Sequence, residues 1–500
     1  MIARQELNRF LEMEPKFDDI MCSLRATVKQ PKGILKEAKE VVALMRKFNQ
    51  EVIEPYALDI DRKVQEDPNH IPIEIVEKAN EWGFFTMWIP KIFGGKGYSF
   101  ATLCNFAEEV GTACLGLANL VGVHYLGISG LMATWNARVA KKICEDVIAG
   151  EKNKTPCILS LAVTEPSAGT DVEEKDLLEK GTVACHCKRV AGGYEVTGTK
   201  VFISNAAVST WHIIIAYADL QRPTETSVFF MVKAGTQGFS VGRQEKKMGQ
   251  KGCPVNELIF DNCFIPDNQV CIDEEQMKSL SMSAGDVYQF MMDYIVSTTR
   301  PAVGAFGTAA ARAALEATLA YASETKVAGK LLINHEWVQC RLADMYKNVV
   351  ISRLLASEAS YTNGLEGYYK LLHWKPLYYY YKIIPNFLIR KMVLPIMEMS
   401  ITTKILRKVM FDWMKDKYIH RTSGWASISK FAGTDAGVQN CQMAIEIMGQ
   451  SGLRQDAKVE KCLRDAKLLQ IYEGTNQLNR LNTYKCLIQR CAPQSVVFDE

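Results

Sequence analysis

The stretch Leu463-Arg464-Asp465-Ala466-Lys467-Leu468-Leu469-Gln470-Ile471-Tyr472-Glu473-Gly474-Thr475-Asn476-Gln477 decides the reading of this chain. It begins as a helix, with Val459, Leu463, Ala466 and Leu469 at close to helical spacing, and Gly474 then weakens helix continuation. The Thr475 hydroxyl can cap a following helical segment, 476–481, which puts Glu473 at a junction between two helices. A carboxylate held there, flanked by Ile471 and Tyr472, suits a desolvated general base, because apolar surroundings raise its pKa toward working pH. Read in isolation, the same string also fits a solvated glutamate or a helix-end charge.

Two stretches far upstream bear on that choice: Leu161-Ala162-Val163-Thr164-Glu165-Pro166-Ser167-Ala168-Gly169-Thr170-Asp171, and Lys200-Val201-Phe202-Ile203-Ser204-Asn205. With Ile89-Pro90-Lys91-Ile92-Phe93-Gly94-Gly95-Lys96-Gly97, Lys247-Met248-Gly249 and Gly329-Lys330-Leu331-Leu332, they follow in order over residues 38–487. On these motifs the chain resembles the acyl-CoA dehydrogenase family of flavoproteins.

The resemblance implies noncovalently bound FAD. Thr164 and Ser204 would bond the isoalloxazine edge, Phe202 would lie against the ring, and the backbone of 161–170, including Leu161, Val163 and Thr170, would line the cofactor. Ile203, Thr475 and Gln477 fall on the cofactor side as well. The acyl-CoA substrate would meet Thr170, Tyr472, Gly474 and Arg300, the last through its coenzyme A portion. Glu473 would be the catalytic base, removing an α-proton while the β-hydrogen leaves as hydride to the flavin. Some branches carry the base beside the arginine; here that neighbourhood is Ser297-Thr298-Thr299, with no carboxylate. Locally, Phe202 also reads as a core aromatic in a strand, and Arg300 as a charge at a helix start ahead of Pro301.

Composition bounds the rest. Five hundred residues, 48% of them hydrophobic, can bury a large core in two to four domains. A net charge of +3 gives no global signature of nucleic-acid binding, and none is expected. Fifteen cysteines are scattered along the chain, which fits free thiols and a cytoplasmic setting. Glu6, Glu12, Glu14, Asp18 and Asp19 make the first residues acidic, unlike a secretory signal or a transit peptide.

The periodicity predicts an α+β, multidomain chain. Residues 1–155 form an N-terminal helical domain, in which Val41, Leu44, Met45, Phe48, Val52 and Ile53 mark one helix face. Gly94-Gly95-Lys96-Gly97 lacks the spacing of a phosphate-binding loop and is a tight loop instead. Residues 156–275 turn to strands at 157–163, 193–198, 211–218, 227–233 and 257–260, the pattern of an antiparallel barrel or sandwich. Cys185-His186-Cys187 offers too few ligands for a metal site, and none is expected. The charged run 172–182 reads as a surface loop. Residues 276–500 form a C-terminal four-helix bundle from 301–321, 332–358, 425–449 and 459–470.

Between the second and third of those helices the family pattern is interrupted by an insertion, about 361–422. It carries Tyr378 to Tyr381 in a row and three prolines, Pro376, Pro385 and Pro395. From Glu366 to Arg421 it has eleven Lys and Arg against four Asp and Glu, a net +7. The prolines and Arg390-Lys391 exclude a spanning helix. A peripheral membrane or partner-docking element is expected, with packing on the bundle or a subunit interface as the alternative.

Electrons are expected to pass to an electron-transfer flavoprotein or a membrane carrier, and the chain to form a homodimer or homotetramer. An acyl-CoA oxidase, or an assembly protein that kept the fold, are the alternatives. One departure bears on them. Where the family has an arginine for the FAD pyrophosphate of the neighbouring subunit, this chain has Thr325 ahead of Lys326, and an ammonium cannot reproduce a bidentate guanidinium contact. Glu446 and Gln450 likewise replace a glutamine and a glycine near the cofactor.

Overall fold

The computed structural model describes residues 29–413 and 419–499; the acidic N-terminal residues lie outside that range. Helices α1 (Gly33–Phe48), α2 (Ala57–Glu66) and α3 (Ile73–Glu81) lead into α4 (Leu103–Ala113), α5 (Leu115–Gly122), α6 (His124–Ala133) and α7 (Ala137–Lys152). The stripe Val41, Met45, Phe48 and Val52 is buried, as helical spacing requires. The most apolar stretch, Leu115–Ala133, is 83% buried, so its hydropathy belongs to the core.

The middle region is an eight-stranded sheet: β1 (Leu159–Ala162), β2 (His186–Val190), β3 (Gly193–Ser204), β4 (Trp211–Tyr217), β5 (Ser227–Lys233), β6 (Phe239–Gln244), β7 (Val255–Pro266) and β8 (Val270–Ile272). Most neighbours are antiparallel, but β1 and β2 each pair with β4 in parallel, so the sheet is mixed. Three of these strands escape a reading by apolar runs. β2 and β6 carry few apolar residues and mostly face solvent, and β8 spans only three residues. The parallel pairing of β1 with β4 sets Leu161 opposite Ile213.

Four helices make the C-terminal bundle: α8 (Ala284–Glu324), α9 (Glu336–Leu365), α13 (Ile419–Met448) and α14 (Lys458–Leu469). α8 and α13 touch backbone to backbone, since a Cβ on Gly307 would meet the Gly433 carbonyl oxygen at 2.2 Å. α8 runs straight through Pro301 instead of starting there. A proline leaves the carbonyl four residues before it without its helical donor. Here that carbonyl, on Ser297, accepts from Asn363 Nδ2 at 3.0 Å, which makes an interior proline tolerable.

The insertion folds as α10 (Lys375–Ile383), α11 (Asn386–Met397) and α12 (Ser400–Arg407) and is knit to the N-terminal helical region. Lys91 Nζ donates to the carbonyls of Tyr381, Lys382 and Ile384 at 3.1–3.2 Å, and Tyr378 Oη donates to Glu37 at 2.5 Å. The glycine loop serves as its receptor: Lys382 Nζ reaches the Gly97 carbonyl at 2.6 Å and Asn386 the Gly95 carbonyl at 3.2 Å. Arg407 is buried against the carbonyls of Thr134 and Cys271. One side of the segment is therefore part of the fold, with α10 and α11 packed on the N-terminal helical region and not on the bundle named in the packing alternative.

Candidate active site

α14 ends at Leu469, the chain turns, and α15 (Asn476–Thr483) begins with Thr475 as its N-cap, its hydroxyl accepting from Leu478 N at 3.2 Å. The turn between them is left-handed at two residues, Glu473 (φ 57°) and Gly474 (φ 76°). Such a conformation costs a non-glycine residue energy, so something must hold it. Three side chains do. Arg300 Nε donates to the Glu473 carbonyl at 3.1 Å, Lys430 Nζ to the Gly474 carbonyl at 2.7 Å, and Asn479 Nδ2 to the same Gly474 oxygen at 2.9 Å. Gly474 is required on space as well, since a Cβ there would lie 2.7 Å from Glu173 Oε2 and 3.0 Å from Arg300 Nη2.

The turn points the Glu473 side chain into a cavity of about 170 Å³. Burial, and then the neighbouring Glu173 charge, push its carboxyl up to about 7, while Thr299, Arg300 and Lys430 pull the other way. Thr299 Oγ1 lies 2.9 Å from Glu473 Oε2 and 2.9 Å from the Ile295 carbonyl. Its single proton can serve either acceptor, so the hydroxyl accepts from a protonated Glu473 and donates to an ionised one. Burial and the Arg300 charge also push the Lys430 ammonium down to about 7.

Of the residues expected from sequence, Leu161, Val163, Thr164, Phe202, Ile203, Ser204, Tyr472 and Glu473 all line this one cavity. Phe202 sits at a β-bulge of β3 where the register with β7 shifts between Lys200 and Ile203. Its backbone is left-handed (φ 57°) and its ring is 61% exposed, so it is no core aromatic. The bulge turns a flat apolar face into the cavity between the hydroxyl-bearing residues Thr164 and Ser204, an arrangement that fits the ring and polar edge of a flavin. Beneath it, Lys200 Nζ donates to the Val163 carbonyl at 3.0 Å and pairs with Glu165 at 2.7 Å, both side chains wholly buried. Glu165 Oε2 in turn accepts from Ala184 N and Cys185 N. A buried pair so fully bonded fixes the Thr164 segment against β3.

Five expected residues are placed elsewhere. Arg300 is 1% exposed, and its guanidinium is taken up by Glu173 (2.6 Å), Ser427 (2.9 Å) and the Glu473 carbonyl. It lies inside α8, not at a helix start, and braces the turn from within the fold. Gly474 is buried on the same side. Thr170 opens a short helical turn outside the cavity lining, Thr475 is the helix cap, and Gln477 is exposed.

Sequence reasoning missed Glu173, which lines the cavity beside Glu473. The run 172–182 is no surface loop: Val172, Glu174 and Leu178 are all buried, and Tyr288 Oη donates to the Val172 carbonyl at 2.5 Å. Glu174 pairs with Lys485 at 2.8 Å, and burial pushes its carboxyl up to about 7. The charges of this run answer partners on α8 and beyond α15, more than a hundred residues away, a signal no local pattern carries.

Known proteins share this architecture. Three domain profiles match in order: "Acyl-CoA dehydrogenase, N-terminal domain" over 36–151, the middle domain over 160–263, and the C-terminal domain over 290–366 and 387–487. The gap, 367–386, is the tyrosine-rich first part of the expected insertion; 387–422 falls within the matched C-terminal domain, so the unmatched segment is shorter than the 361–422 expected from sequence. A relative named probable acyl-CoA dehydrogenase FadE25, from Mycobacterium tuberculosis (strain ATCC 25618 / H37Rv), is 26% identical over 453 residues, covering 91% of this chain and 96% of the relative. Butyryl-CoA dehydrogenase from Megasphaera elsdenii shares the fold with a TM-score of 0.68 at 20% identity, over 90% of this chain and 98% of that one. The FAD complex of PigA shares it with a TM-score of 0.67 at 19% identity, over 91% and 98%. Since the three profiles together span most of its length, and in the family's own order, the chain belongs to the acyl-CoA dehydrogenase family of FAD-dependent oxidoreductases.

Proposed function

We propose that the chain dehydrogenates an acyl-CoA thioester between its α and β carbons, with Glu473 as the base. The observation that carries this reading is the Glu473 carboxyl, raised to about 7 and facing the same cavity as Thr164, Phe202 and Ser204. Those three residues would hold the flavin, which when bound takes up the hydride. Glu473 receives the α-proton on its carboxylate, and Thr299 accommodates both of its protonation states. Arg300, Lys430 and Asn479 keep the carboxylate aimed by clamping the backbone on either side of it. Leu103, Phe106, Leu126, Met292 and Phe306 give the rest of the cavity an apolar lining, which suits a hydrocarbon acyl chain and excludes water from the proton transfer. Anaerobic addition of a panel of acyl-CoAs to the FAD-loaded protein should bleach the flavin absorbance with at least one member; a flavin that stays oxidised with all of them contradicts the reading.

The reduced enzyme passes its electrons to an electron-transfer flavoprotein or a membrane carrier. In support of a membrane position, the outer side of the insertion bares Ile383 (77% exposed), Phe387 (68%) and Trp374 among the exposed cations Lys391 and Lys404. Aromatic and aliphatic side chains mixed with cations are the make-up of a surface that lies on anionic lipid. Anionic lipid is concentrated on the cytoplasmic leaflet, which supports a cytoplasmic, peripherally docked protein. A homodimer or homotetramer is supported by Trp337, Tyr346 and Leu354, which stand exposed along α9 next to the exposed hairpin of Lys326–Val327 and Lys330–Leu331.

A further inference from the structure

Between the insertion and the N-terminal helical region lies a second cavity, of about 430 Å³, that shares no lining residue with the Glu473 cavity. One wall comes from Trp88, Leu131 and Ala140, the other from Leu377, Ile389 and Val393 of the insertion. The partition between the two cavities is aromatic: Trp88 lies edge-on to Tyr125 at 4.8 Å and to Phe106 at 5.5 Å, and both of these line the first cavity.

The polar groups in the lining are bonded within the protein. Ser99 Oγ and His373 Nε2 are 2.8 Å apart, Tyr381 Oη accepts from Ile92 N, and Lys382 pairs with Glu37 at 2.7 Å. Trp135 differs: its Nε1 is a buried donor without a partner, on a residue whose backbone is left-handed (φ 50°). The cavity therefore presents apolar surface and one indole N–H in need of an acceptor. A ligand with several charged or hydroxyl groups would lose its hydration here with little return, whereas a hydrocarbon chain ending in a single carbonyl or carboxyl acceptor has one donor to meet. The way in is also apolar, because the lining residues Leu372, Tyr380 and Met392 are at the same time 49%, 58% and 62% exposed.

We propose that this cavity binds the hydrocarbon chain of a long-chain carboxylic acid or its ester, with a carbonyl oxygen accepting from Trp135 Nε1, at a site separate from that of the acyl-CoA substrate. The chain bridges the two walls and so fastens the insertion to the N-terminal region. The inference rests on the second cavity and stands apart from the assignment of Glu473. Radiolabelled palmitate is titrated into the FAD-loaded protein after the substrate cavity has been saturated with an acyl-CoA thioether that cannot be dehydrogenated. About one equivalent per protomer should remain bound, and Ala140→Phe and Val393→Phe, which fill the cavity from opposite walls, should each weaken it by about tenfold or more. Both variants should keep flavin reduction by acyl-CoA at the wild-type rate. A parallel arm with phosphatidylglycerol vesicles separates the sources: vesicle binding lost in both variants with no palmitate bound assigns the chain to membrane lipid, and palmitate binding assigns it to the free acid. Val393→Phe changes a half-buried side chain and keeps the test open if Ala140→Phe does not fold. Complete displacement of palmitate by the thioether with no vesicle binding, or equal binding by wild type and variants, overturns the proposal.

Discussion

Arg300 donates from Nε to the backbone carbonyl of Glu473 at 3.1 Å, from the buried interior of a helix that begins far from it in sequence. Through that bond and its 2.6 Å pair with Glu173, the guanidinium fixes a left-handed turn that a glutamate would otherwise leave. Arg300→Met leaves Glu173 charged and without its partner, which costs about 3–5 kcal/mol for a buried pair broken on one side. Chemical denaturation should show a loss of that size, with slower flavin reduction in the protein that remains folded.

Glu173 also tunes the base. Flavin reduction should rise with pH as Glu473 ionises, with its midpoint near about 7. Because Glu173 is the largest charge acting to raise that carboxyl, Glu173→Gln should move the midpoint to lower pH. An unmoved midpoint in stopped-flow traces would remove Glu173 from this role. The same raised pKa affects stability: between the ordinary carboxyl value of 4.5 and about 7 the folded state holds the extra proton, so this group's contribution falls as pH rises through that window.

Asn363 should matter far more than an asparagine ordinarily does. Asn363→Ala removes the donor that Pro301 cannot supply to Ser297, leaving a buried carbonyl unpaired at a cost of about 1–3 kcal/mol. Thermal melts of that variant beside Asn363→Ala/Pro301→Ala test the pairing: restoring the helical N–H should recover part of the loss.

The membrane reading calls for point changes, because excising the insertion would strip Lys91 and Glu37 of the partners they now hold. Ile383→Asp with Phe387→Asp should lower co-sedimentation with anionic liposomes at low salt, and high salt should weaken the wild-type protein's attachment. Wild-type protein left wholly in the supernatant at low salt would contradict membrane docking.

The helices of the N-terminal region, the strands β3, β4 and β5 and the bundle were legible because their apolar residues repeat at the period of the element. The motifs around Thr164, Phe202 and Glu473 were legible as residue strings, and three distant parts of the chain converge on one cavity. What was hidden depends on partners far apart in sequence. Pro301 within α8 is explained only by Asn363, and the inward course of 172–182 only by Tyr288, Arg300 and Lys485. Arg300 illustrates the limit: its type suits a ligand contact, and nothing in the local sequence shows that three of its N–H groups bond Glu173, Ser427 and the Glu473 carbonyl. For the insertion, charge and aromatic content pointed outward, while the inner side that meets the glycine loop left no mark in the composition.

The central claim is that Glu473 is the base, and rapid anaerobic mixing of the FAD-loaded Glu473→Gln variant with a substrate acyl-CoA tests it most directly. The amide keeps the shape and the Thr299 contact but cannot take a proton, so flavin and ligand should bind as in the wild type while the rate of flavin reduction falls by about 10²–10⁴-fold or more. Reduction at the wild-type rate would contradict the account and require the proton to go to another group.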